Sequence, residues 1–167
     1  MEALVLIDIQ NDYFRGGLHP LAGMTKAAGN ARRLLEEFRA RNLPVIHVRH
    51  EGAGENAGFF RPNTKGAEIH ELVRPLPGET VLVKHYPSSF RDTGLDGILK
   101  GLGVDTIHVA GAMTNMCVDT TTRAGFDLGY RMILHGNACA ARGYLGTRLV
   151  HRITVRTLGS VFAEIVD

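Results

Sequence analysis

Short apolar, β-rich runs alternate along the chain with segments whose apolar positions recur every three or four residues. The first run, Leu4-Val5-Leu6-Ile7, predicts a strand over Ala3–Ile9. Similar runs predict strands at Pro44–Arg49, Thr80–Lys84, Thr106–Ala110, Arg131–Leu134 and Val161–Val166. Between them, Ala27, Ala28, Ala31, Leu34, Leu35 and Phe38 share one face of a helix predicted over Met24–Ala40. Further helices are predicted at Leu95–Leu102, closed by Gly103, at Asn115–Leu128, closed by Gly129, and at Tyr144–Leu158. Residues 50–66, with Gly52, Gly54, Gly58, Pro62 and Gly66, read as a long loop, and long loops in compact domains are often functional.

Strands that alternate with helices imply a parallel sheet covered on both faces. The strands are apolar almost throughout, as strands buried on two sides should be. The expected class is therefore α/β, a three-layer α/β/α sandwich around a mostly parallel six-stranded sheet. One domain is expected over residues 1–167. Ligands of such sheets bind beyond the carboxyl ends of the strands, so the residues that close the strands carry the chemical interest.

Asp8 follows four apolar residues, where a carboxylate is costly unless paired or hydrogen-bonded. Lys84 closes Val81-Leu82-Val83, where it either serves the site or snorkels to solvent. The fourth strand runs into Gly111-Ala112-Met113-Thr114-Asn115-Met116-Cys117. Thr114 fits an N-cap, which puts Cys117 in the first helical turn. There the helix dipole favours a thiolate. A thiol nucleophile, a carboxylate to take its proton and an ammonium to steady the charges would complete one another. The second cysteine, Cys139, lies among small residues and reads as structural.

Composition narrows the alternatives. The net charge is +2, the basic residues are scattered and there is no Trp, so nothing supports nucleic-acid binding. No apolar run approaches the roughly 18–20 residues of a membrane span. The opening residues are too short and too acidic for a signal peptide. Two cysteines in separate elements suit the free thiols of a cytoplasmic protein better than a disulfide.

At these residues the chain resembles the isochorismatase-like cysteine hydrolases. Three stretches carry the resemblance: Leu6-Ile7-Asp8-Ile9-Gln10-Asn11-Asp12-Tyr13-Phe14, Val83-Lys84-His85-Tyr86-Pro87-Ser88-Ser89-Phe90, and Gly111-Ala112-Met113-Thr114-Asn115-Met116-Cys117-Val118-Asp119-Thr120-Thr121. The resemblance implies Asp8 as general base, Lys84 as electrostatic partner and Cys117 as nucleophile. It also implies a cis peptide at Ala112–Met113, with the amides of Met113 and Cys117 forming an oxyanion hole. The implied reaction is hydrolysis of an amide, carbamoyl or ureido C–N bond of a small molecule through a thioester, with no cofactor, in a homo-oligomer. Asn11, Phe14, Phe60, Tyr86, Phe90 and Asn115 lie in motif loops and are candidates for substrate contact, with Phe59 among the neighbouring aromatics.

Departures from that family limit the reading. The metal-binding Asp-x-His of the nicotinamidases is absent, since the corresponding stretch is Val48-Arg49-His50-Glu51-Gly52. His47 and His50 are read as structural, and no catalytic metal is expected. The presence of Cys117 argues against vinyl-ether hydrolysis. The third stretch looks most like an amidase-like branch that includes streptothricin-hydrolase-like proteins. Asn137 stands where relatives often carry an acid, and the C-terminal segment is short for the family, so completion by a neighbouring subunit is an expectation. An inactive binding protein and a redox-sensing thiol protein on the same fold are the competing readings.

Overall fold

The computed structural model describes residues 1–52, 57–142 and 146–167. Six strands form one sheet: β1 (Glu2–Ile7), β2 (Val45–His50), β3 (Thr80–Lys84), β4 (Thr106–Ala112), β5 (Arg131–Ala140) and β6 (Glu164–Val166). Their order is β3-β2-β1-β4-β5-β6, and every pairing is parallel. Among the described residues four α-helices accompany them: α1 (Met24–Ala40), α2 (Leu95–Gly101), α3 (Asp119–Asp127) and α4 (Thr147–Val161).

The alternation along β1 shows why both faces are covered. Leu4 and Leu6 pack with Ala27, Ala31, Leu35 and Phe38 of α1. Ala3, Val5 and Ile7 face the opposite layer, with Leu95, Leu99, Val118 and Leu158. A strand buried on two faces carries no polar side chain until it ends, and β1 ends at Asp8. The chain leaves β1 in one direction to build β2 and β3, then returns to place β4 on the other side. The resulting crevice between β1 and β4 is the position where such sheets take ligands.

Three differences from the sequence reading have physical causes. The fifth strand runs on to Ala140 rather than stopping at Leu134. Gly136 and Asn137 interrupt its apolar pattern, yet pairing with β4 resumes beyond an irregularity, at Gly111↔Cys139 and Ala112↔Ala140. The segment predicted as one helix from Asn115 opens instead as a π-helical turn, Thr114–Val118, before α3. The sixth strand is confined to Glu164–Val166 because α4 continues through Val161. The predicted helix start at Tyr144, and Gly54 of the long loop, lie outside the described residues.

Candidate active site

Three strand ends meet at the crevice. Asp8 adopts a left-handed backbone, φ 51°, just after β1, and its N–H donates to the Val48 carbonyl at 2.9 Å. Asp is one of the residues that visits this region with least penalty. Lys84 is the last residue of β3, in register with His50 at the end of β2. Cys117 lies in the π-helical turn that follows β4, four residues after a cis peptide between Ala112 and Met113.

Lys84 holds the group together. Its Nζ is 2.8 Å from Asp8 Oδ2, with neither side chain exposed. The same ammonium donates to Cys117 Sγ at 3.2 Å, to His50 Nδ1 at 3.1 Å and to the Tyr86 carbonyl at 3.2 Å. An oxygen of Asp8, a ring nitrogen of His50 and Sγ of Cys117 all lie within 4.8 Å of one another. Cys117 is buried, with 8% of its surface exposed.

Burial decides where the protons rest. It pushes the Asp8 carboxyl up, and Lys84 opposes this. Burial opposes the charge on Lys84, but Asp8 and Cys117 outweigh it and hold the ammonium protonated. His50 is pushed down to about 4, by burial first and then by the neighbouring Lys84 ammonium and the His85 side chain. It is therefore a neutral acceptor for Lys84. Cys117 is pushed up to about 12, by burial and then by the Asp8 charge, with Lys84 pulling the other way. These directions describe a thiol that keeps its proton beside a charged Lys84, with Asp8 as the group able to take that proton. A helix terminus favours a thiolate, while the low-polarity surroundings and the adjacent carboxylate push the other way.

The other candidates are dispersed. Asn115 is half-buried, and its Oδ1 is buried without a hydrogen-bond partner among the described residues, two positions from Cys117. Tyr86 is 37% exposed, and the Arg91 guanidinium lies 3.5 Å over its ring. Asn11 donates to the Lys65 carbonyl at 2.7 Å. Phe14 stacks on His70 at 3.6 Å between centroids, and both it and Asn11 line a separate cavity of about 340 Å³. Phe60 has no exposed surface and packs edge-on against Tyr13 at 4.7 Å. Phe90 packs in the layer of α2 and α3 beside Tyr130. Phe60 is therefore a core residue, and Phe90 a half-buried one packed against the core. Thr114 is not an N-cap, since its side chain makes no cap hydrogen bond and meets His151 instead.

His50 was missed as a member of this cluster. Its signal was available: it closes β2 just as Lys84 closes β3. His47, by contrast, is buried 3.0 Å from Glu79, which in turn pairs with Arg39 at 2.7 Å.

Comparison with known proteins identifies the family and the fold. The isochorismatase domain model matches residues 2–166. The uncharacterised isochorismatase family protein YddQ of Bacillus subtilis is 51% identical over 138 residues, 83% of this chain and 77% of that protein. A solved isochorismatase-hydrolase structure from Oleispira antarctica superposes with a TM-score of 0.94 at 40% identity, covering 99% of this chain and 92% of that one. N-carbamoylsarcosine amidase from Thermoplasma acidophilum gives a TM-score of 0.87 at 29% identity, covering 98% and 94%. With a family model spanning nearly every residue and these relatives on the same sheet, the chain belongs to the isochorismatase domain family of hydrolases.

Proposed function

We propose that the protein is a cysteine-dependent amidohydrolase that cleaves a C–N bond of a small amide, carbamoyl or ureido compound. The observation that carries this reading is a single ammonium, Lys84 Nζ, 2.8 Å from Asp8 and 3.2 Å from Cys117 Sγ, with all three side chains buried. The similarity to an enzyme named as an amidase directs the choice toward C–N bonds.

In this mechanism Asp8 takes the thiol proton as Sγ attacks the substrate carbonyl. Lys84 remains protonated throughout and stabilises whichever partner carries the negative charge. A raised Asp8 pKa helps, because a base is most effective when its pKa approaches the working pH. The amides of Met113 and Cys117 hold the oxyanion. Collapse of the tetrahedral intermediate breaks the C–N bond, and the proton on Asp8 passes to the departing nitrogen. Asp8 then removes a proton from water as its oxygen attacks the thioester, and Sγ leaves and regains a proton. The unpartnered Asn115 Oδ1 is positioned on the nucleophile's own turn to accept a substrate N–H. No metal enters the scheme, since the place between Asp8, His50 and Cys117 is taken by the Lys84 ammonium. The neutral thiol also argues against a resting redox sensor, which needs an accessible thiolate.

The test is an ammonia- and amine-release screen over carboxamide, carbamoyl and ureido compounds. The wild-type protein turns over at least one class, and Cys117→Ala turns over none. Equal release by both proteins overturns the reading.

A further inference from the structure

Thr114 stands between Met113 and Cys117, the two residues whose amides the proposed mechanism uses. It is completely buried. A buried hydroxyl needs a partner, and this one reaches out of its own turn. Thr114 Oγ1 and His151 Nδ1 share a hydrogen bond of 2.9 Å, from a residue 37 positions further along the chain on α4. Within the turn Met113 O accepts from the N–H groups of Met116 at 3.0 Å and Val118 at 3.2 Å, and the Asp119 N–H closes it on the Thr114 and Met116 carbonyls. The Thr114 side chain therefore tethers this turn to a separate helix.

His151 is itself only half-buried. It lines two cavities, one of about 780 Å³ between α4 and β6 and one of about 410 Å³ beside the carboxyl end of β5. Among the described residues the bond to Thr114 is the hydrogen bond that the ring makes, with open space beside it. Burial holds the imidazole below its usual pKa, with Asp167 opposing, so the ring is neutral near pH 7.

We infer that His151 is a positioning residue for the nucleophile turn: through Thr114 it sets the orientation of the segment from Met113 to Cys117. The inference rests on the reading of Cys117 as nucleophile. It fits the sensitivity of such sites, where a displacement of about 1 Å costs roughly 100-fold in rate.

The experiment combines His151→Leu, His151→Asn and Thr114→Val, read by kcat, KM and the rate of Cys117 alkylation by iodoacetamide. His151→Leu keeps apolar bulk without the bond. It should lower both kcat and Cys117 alkylation about 10- to 100-fold with KM nearly unchanged. Asparagine presents a polar atom close to the position of Nδ1 and should recover most of the loss. Thr114→Val should match His151→Leu, and the double variant should be no worse than either single one. An unchanged rate in His151→Leu, additive losses in the double variant, or no recovery by asparagine despite a folded circular dichroism spectrum each overturns the inference. Alkylation reports on the turn even where no hydrolysis is found, so failure of the amidohydrolase reading is distinguishable from failure of this one.

Discussion

Replacing Asp8 by asparagine removes the carboxylate charge beside Cys117 while keeping the side chain's size. An oxygen of Asp8 and Sγ of Cys117 lie within 4.8 Å. At an effective dielectric of about 20, two unit charges at that separation interact by about 3.5 kcal/mol, or roughly 2.5 pH units. A negative neighbour raises a thiol pKa, so its removal must lower it, and the thiol at about 12 should fall to about 9.5. The thiolate fraction near pH 8 then rises roughly 300-fold, while the weaker nucleophilicity of a less basic thiolate returns about 13-fold of that gain. Net alkylation of Cys117 should accelerate about 20-fold. Hydrolysis should move in the opposite direction, falling at least about 100-fold, because the proton acceptor is gone. Peptide-resolved iodoacetamide labelling between pH 7 and 11 measures this. Cys139 serves as internal reference, since burial also pushes it up to about 12 and its environment is unchanged. Slower or unchanged labelling of Cys117 in Asp8→Asn would refute the assignment of the resting proton to the thiol.

Two further predictions concern the scaffold. Burial alone would push Glu79 up, but its bonds to Arg39, the Leu76 N–H and His47 hold it down at about 2. A depressed carboxylate contributes stability above its unfolded pKa and loses it as pH falls toward the folded value. Glu79→Gln should therefore cost about 2 kcal/mol at pH 7, after allowance for partial solvent screening, and nothing near pH 2, as measured by urea unfolding at both pH values. Gly111 has φ +138°, and a Cβ there would lie 1.9 Å from the Ile7 carbonyl oxygen. Gly111→Ala should destabilise the fold by about 3 kcal/mol or more by prying β4 from β1, seen as a lowered thermal midpoint with loss of turnover.

What the sequence made legible was one-dimensional. A strand buried on both faces writes itself as an apolar run, and the first polar residue after such a run marks its carboxyl end. Asp8 and Lys84 were readable for that reason, and Cys117 from its place between β4 and a helix. His50 obeys the same rule but follows a run already mixed with His47 and Arg49, which blurred the signal. Side chains carried by loops were not legible. Phe60 sits in the long loop after β2 and Phe90 in a motif stretch, yet which way a loop folds back is set by tertiary contacts. Nor was the proton's location: it depends on how much water surrounds three residues from distant parts of the chain. The extension of β5 past Gly136 depends on pairing with β4 and leaves no local pattern.

The neutral thiol has a consequence for the durability of the protein. Peroxides and stray electrophiles attack thiolates far faster than thiols. With its proton in place and its side chain buried, Cys117 would be shielded from both between turnovers of the proposed reaction. In that mechanism, activation is tied to the arrival of a carbonyl that can accept the sulfur while Asp8 accepts the proton. A protein working this way would keep its reactivity latent, so peroxide should inactivate it slowly in the absence of substrate.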